Sequence, residues 1–140
     1  KVKDAPHFLV VAKRTDGRNT LASERIARTV KATGTPAETF KGLEDAINGV
    51  IASKSDAELD TWVTGATFIP LGAMIEAAAL LGVDSGPMEG FDHDKFDEIL
   101  DLKSKNLASV YAIAFGYRIN DAAAERPKVR RSLEEVVTRL

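Results

Sequence analysis

The chain contains no cysteine. That excludes a disulfide framework, a thiolate metal site and a cysteine nucleophile. Histidine is almost as scarce: His7 and His93 are the only two, and neither stands in ligand-like spacing with acidic residues, so no metal centre is expected. The glycines form neither a G-x-x-x-x-G-K-[S/T] loop nor a G-x-G-x-x-G turn, which removes a P-loop and a Rossmann dinucleotide site. A G-x-S-x-G elbow is absent too, leaving a serine hydrolase without support. Neither sign of charge dominates. The net charge of -2 gives no reason to expect a polyanionic partner such as nucleic acid. No basic stretch leads into a signal-like apolar run, so a cytoplasmic protein is the expectation. There is no initiating methionine either; the chain starts Lys1-Val2-Lys3.

What remains is a composition suited to folding. The 140 residues fit one domain, 44% of them are hydrophobic and 29% charged, enough apolar surface for a core and too little bias for disorder. His7 to Ala12 is a short, β-branched apolar run bounded by Pro6 and by Lys13 to Gly17, and reads as a buried strand. Ala22, Ile26 and Val30 recur every four residues and predict a helix ending near Gly34. Thr35-Pro36-Ala37-Glu38 reads as a capping box, followed by a helical stripe of Phe40, Leu43, Ile47, Val50 and Ile51. Ser55-Asp56-Ala57-Glu58 is a second capping box.

The helix it opens runs from Asp56 to Leu81 and ends at Gly82, a C′ glycine. Between Thr61 and Val83 its only charge is Glu76. Such a length could cross a bilayer. Its Ala, Gly and Thr content, Pro70 and the lack of flanking basic or aromatic belts argue against that. A helix apolar all round is otherwise buried on every side. Gly65, Ala66, Gly72 and Ala73 allow close approach, so the reading is a buried central helix at a dimer interface.

From Val83 to Asp92, two glycines and a proline predict a tightly turned, extended loop. A short helix follows, capped by Asp92 or Asp94, with Phe96, Ile99 and Leu100 facing inward. Leu107 to Tyr117 is almost unbrokenly apolar, as in a strand covered on both faces. The tail from Arg126 to Arg131 is basic, and Leu133 to Leu140 forms a last helical or extended arm. Helices around a small mixed sheet make the fold class α+β, in one domain spanning residues 1–140.

Two features carry chemistry. Gly86 to Gly90 is a glycine-bounded acidic loop, whose plain reading is a connection between helices. Lys128 and Arg130 alternate, so in an extended segment both point the same way and can clamp a phosphate. Taken alone, the pair also fits a solvated basic tail.

Together these residues resemble a known family. Ala77-Ala78-Ala79-Leu80-Leu81-Gly82-Val83, leading into Gly86-Pro87-Met88-Glu89-Gly90-Phe91-Asp92, is similar to the helix-to-loop segment A-A-x-x-L-G-L-D-x-x-P-I-E-G-F of the oxygen-insensitive NAD(P)H nitroreductases. Phe115-Gly116-Tyr117-Arg118 resembles their penultimate G-Y/H-R stretch. Pro127-Lys128-Val129-Arg130, with Ser132 to Val137 after it, resembles their C-terminal K-x-R-x-x-L-x-E-V signature. Trp62 falls where the family often has a tryptophan. Two departures stand beside these. The family's N-terminal segment, with its Arg-x-Ser-x-Arg phosphate contact, has no counterpart here, and Ala66 replaces a frequent glutamine.

The resemblance implies a homodimer with FMN bound at its interface, NAD(P)H as hydride donor, and a nitroaromatic, quinone or similar small molecule as acceptor. It places Met88, Glu89 and Gly90 against the flavin and gives the FMN phosphate to Lys128 and Arg130. No catalytic side chain is expected, because the cofactor carries the redox chemistry and the protein binds and orients it. The alternative is a module of the same family that binds flavin, or only dimerises, without turnover. Neither reading involves a membrane or a nucleic acid.

Overall fold

The computed structural model describes residues 3–139; Lys1, Val2 and Leu140, the last residue of the predicted arm, lie outside the described residues. The elements follow in the order β1 (His7–Arg14), α1 (Gly17–Thr33), α2 (Lys41–Ala52), α3 (Asp56–Leu80), β2 (Asp84–Met88), α4 (His93–Ile99), β3 (Leu107–Gly116) and α5 (Leu133–Val136). The strands form one sheet in the order β1-β3-β2. Both pairings are antiparallel, where a mixed sheet was expected. β3 lies in the middle, which its unbroken apolar run requires, and Tyr111 and Ile113 are fully buried within it.

One irregularity decides which helix meets which face. Val11 pairs with Tyr111 but Ala12 pairs with Ser109, so Val110 is an extra residue on β3. A bulge of this kind interrupts the period-two alternation. Tyr111 therefore reaches α3, donating from its hydroxyl to the Thr67 carbonyl at 2.8 Å. Ser109 instead reaches α4, where its N–H donates to Asp97 Oδ1 at 2.9 Å. The β1 side chains alternate in step: Phe8 meets Phe96 of α4, while Lys13 donates to Asp60 and Thr64 of α3. The two helices lie on opposite faces of the sheet.

The ends of α3 follow the local signals. Ser55 and Glu58 make the reciprocal capping-box bonds. At the other end Gly82, with φ of 69°, lets Val83 N–H reach the Ala78 carbonyl at 2.8 Å and Gly82 N–H the Ala79 carbonyl at 3.1 Å, the paired bonds of a Schellman motif. Arg18 of α1 ties α2 to α3, donating to the carbonyls of Ile51 and Lys54 and to the Asp56 carboxylate.

Three expectations need correction. Thr35 caps nothing: Pro36 has extended ψ of 146° and helical geometry begins only at Ala37, as a 3₁₀ turn. The stretch after Val83 is not a loop; its first part is β2, an edge strand whose order comes from pairing with β3 rather than from any pattern of its own. In α4, Ile99 points to solvent at 79% exposed, because Phe96 and Asp97 take the face against the sheet. α3, read from sequence as an interface helix, is left largely uncovered by the single chain. It is long and apolar enough to cross a membrane by length and composition, yet only 6% of its most apolar window is buried. Leu59 and Ala78 are its buried residues, and Ile69 and Leu80 stand 77% and 83% exposed. A three-stranded sheet covers one side of a helix, and among the described residues the other side stays largely exposed.

Candidate cofactor site

Where β2 begins and β3 ends, the structure holds a cleft of about 610 Å³. Asp84, Gly86, Phe115 and Gly116 line it from the sheet, and Arg118 and Lys128 come from the segment after β3. Gly116 is required by close packing: a Cβ there would stand 2.8 Å from Cδ of Pro6, closer than real Cβ contacts come. The wall is thus partly main chain, with a proline ring set against it.

Three carboxylates line the cleft, those of Asp4, Asp84 and Asp121, and Asp84 is the one that holds Arg118. Asp84 accepts from the Arg118 N–H at 2.9 Å and from Arg118 Nε at 2.8 Å, and its Oδ1 also takes the Arg118 Nη2. The Arg118 side-chain hydrogen bonds, then its backbone N–H, outweigh partial burial and lower the Asp84 carboxyl from 3.8 to about 2. Arg118 is raised in turn, chiefly by the same hydrogen bonds. Lys128 donates to the Ala123 carbonyl at 3.1 Å, and Arg130 to the carbonyl of its own neighbour, Val129, at 2.9 Å. Among the described residues, neither cation has a carboxylate partner.

The five residues singled out from sequence occupy different places. Lys128 lines the cleft; Arg130 is exposed on the tail beyond it. Met88 closes β2 at its far end, opposite Ala112, and Glu89 and Gly90 follow it, exposed. Asp84 and Met88 are the two ends of the five-residue β2, four steps and about 13 Å of rise apart. Pro87 has no N–H to give a ladder, so it occupies the side of the edge strand turned away from β3. The alternation of antiparallel pairing then directs the Glu89 amide to that same open side. Phe91 N–H returns to the Glu89 carbonyl at 2.9 Å, and the Phe91 ring stacks on His93 and Phe96 with centroids 4.4 and 4.3 Å apart. The Glu89-Gly90 turn is thereby anchored to α4, which is itself held to β3 through Asp97. His93 Nδ1 adds contacts to the Ser109 carbonyl at 3.1 Å and hydroxyl at 3.2 Å.

Asp84 and Arg118 were missed as site residues. Arg118 lay inside a quoted motif and Asp84 inside a quoted loop, but 34 positions separate them, and no local spacing announces the pair. Among the described residues no group of acids and histidines could hold a metal.

Comparison with known proteins adds the decisive observation. The nitroreductase family model matches residues 1–117. The chain belongs to the nitroreductase family. The match takes in Met88, Glu89 and Gly90 and stops before Lys128 and Arg130. A Bacillus subtilis protein provisionally named as an NAD(P)H nitroreductase is 34% identical over 143 residues, covering 95% of this chain and 63% of that protein. A Haemophilus influenzae protein of the same provisional name is 35% identical over 138 residues, covering 96% of this chain and 56% of its own length. This nitroreductase-family chain therefore spans roughly three fifths of such relatives.

Solved structures agree on the fold. A nitroreductase family protein from Streptococcus pneumoniae superposes with a TM-score of 0.77 at 20% identity, covering 99% of this chain and 66% of that one. A provisionally named nitroreductase from Exiguobacterium sibiricum, crystallised in complex with FMN, gives a TM-score of 0.80 at 16% identity, covering 99% and 64%. At those identities the likeness shows the nitroreductase-like α+β fold.

Proposed function

We propose that this chain binds FMN as half of a homodimer and serves an NAD(P)H-dependent oxidoreductase acting on a nitroaromatic, quinone or similar small acceptor in the cytoplasm. The observation that carries the reading is Lys128: a cation lining the cleft, held by the Ala123 carbonyl and, among the described residues, in no ion pair with a carboxylate. An ammonium so placed suits a phosphate. The residues present fit the cofactor in two further ways. The Glu89 amide faces the open side of β2, where a polar edge of a planar ring can accept from it. The exposed face of α3 supplies the apolar surface that a second copy would close over the ring.

Bound FMN would accept hydride from NAD(P)H and pass reducing equivalents to the acceptor. The chain's own part is to bind and orient. Lys128 and Arg130 hold the phosphate, while Met88, Glu89 and Gly90 bound the ring. Packing of α3 between two copies excludes water. Solvent supplies the proton in this reading, so no side chain is assigned as acid or base.

The test is direct. The protein should purify yellow or turn yellow with FMN, and Lys128→Ala and Arg130→Ala should each weaken binding by about 1.5–3 kcal/mol, as for loss of a charge-assisted hydrogen bond. Protein that stays colourless after incubation with FMN overturns the reading. Yellow protein that oxidises no NAD(P)H with a quinone present would make it a flavin-binding module without turnover.

A further inference from the structure

A carboxylate lining a cleft that is to receive a phosphate is an electrostatic liability. Asp84 is 34% exposed in its side chain and belongs to the same lining as Lys128. Unpaired, it would repel the dianion that Lys128 attracts. Its bonds to Arg118 explain its presence, and the chain that follows Arg118 shows what the pair accomplishes.

β3 ends at Gly116. Two residues on, both the N–H and the guanidinium of Arg118 are fixed on the Asp84 carboxylate at the start of β2. Asn120 then turns the chain through a left-handed φ of 51°. Asp121 closes the turn, its Oδ1 accepting the Ala123 N–H at 3.0 Å and its carbonyl the Ala124 N–H at 2.9 Å. The Ala123 carbonyl, set by that turn, accepts from Lys128 Nζ at 3.1 Å. Hydrogen bonds at either end, joined by the backbone of Ile119 and Asn120, connect the edge strand to the ammonium through a segment with no helix or strand of its own.

We infer that Asp84 and Arg118 are positioning residues, which clamp the segment after β3 to the edge strand and so hold Lys128 at the cleft for the phosphate of a bound flavin. The inference rests on the flavin reading above and adds two residues to it. It also has a counterintuitive consequence. If Asp84 acted only by its charge, removing that charge would tighten anion binding. As an anchor, its removal frees the segment and loosens binding.

Calorimetric titration of the whole chain with FMN and with riboflavin, which lacks the phosphate, separates these cases. Asp84→Asn and Arg118→Ala should each weaken FMN binding about tenfold or more, the scale of a displaced charge-assisted contact, while riboflavin affinity stays unchanged. Arg118→Lys, which keeps the charge but loses the forked geometry, should recover part of the loss. Combined with Lys128→Met, Asp84→Asn should add nothing further, as two changes along one series of contacts are not additive. Tighter or unaltered FMN binding by Asp84→Asn overturns the inference. Equal losses for both flavins also overturn it, since the pair would then support the cleft as a whole. Wild-type protein that binds FMN no better than riboflavin refutes the phosphate site itself, and the clamp with it.

Discussion

The Tyr111 hydroxyl and the Thr67 carbonyl, 2.8 Å apart, join the middle of the central strand to the middle of α3. Tyr111 is 1% exposed, its ring lies 5.6 Å from that of Phe68, and burial raises its phenol above the ordinary range. The bond lands three residues before Pro70, which removes one intrahelical N–H donor from the same stretch. Tyr111→Phe keeps the ring and loses the bond, so it should cost about 1 kcal/mol. Tyr111→Ala should cost about 3–5 kcal/mol, as other large-to-small changes in a packed core do. Urea unfolding of the two variants checks the ratio.

Asp97 is a buried acid, 5% exposed, on the other face of the sheet. Burial pushes its carboxyl upward, but the Ser109 side-chain and backbone hydrogen bonds, helped by Lys103 and His93, leave it below the usual range. Asp97→Ala strands the Ser109 N–H inside the protein, a loss of about 1–3 kcal/mol. Asp97→Asn keeps an acceptor and should lose less. Hydrogen exchange at the Ser109 amide should rise sharply in the alanine variant; unchanged protection would show that water replaces the carboxylate.

Asp84 gives a pH prediction. Its folded-state carboxyl titrates near 2 against an ordinary 3.8, so the folded protein takes up that proton less readily than the unfolded chain. A depressed acid contributes stability that is fully present above its unfolded value and is lost as pH falls through the folded one. The window is therefore from about pH 4 down to about pH 2. Melting temperatures of wild type and Asp84→Asn should converge across that window and differ above it. Parallel curves down to pH 2 would contradict the pairing.

The exposed side of α3 predicts assembly. Ile69 is 77% exposed, so Ile69→Glu places no charge inside the single chain. If α3 lies between two copies, the same change buries an unpaired carboxylate, which is costly. Light scattering should show a dimer for the wild type and a monomer with unaltered circular dichroism for the variant. A wild-type monomer at micromolar concentration would sink both the interface and the two-subunit flavin site.

How far the sequence alone carried can be judged element by element. The signals that came through were local. The Ser55-to-Glu58 capping box, the Gly82 stop, the four-residue spacing in α1 and the apolar run of β3 each act within a few residues, where backbone hydrogen bonds and side-chain burial are settled by near neighbours. The nitroreductase resemblance belongs to the same category, since its motifs are short, ordered stretches of the chain.

What only the tertiary structure decided depended on residues far apart. β2 contains Gly86 and Pro87 and has no strand pattern; it is a strand because β3 pairs with it. The extra residue at Val110 has no signature, yet it sends Tyr111 to α3 and Ser109 to α4. Asp84 and Arg118 meet across 34 positions, so their neutralised charges looked like two unrelated surface residues. How much of α3 the chain itself covers was likewise not legible. Hydropathy reports which side chains gain by leaving water, but the surface available to cover them is a property of the folded chain, and here that surface covers one side.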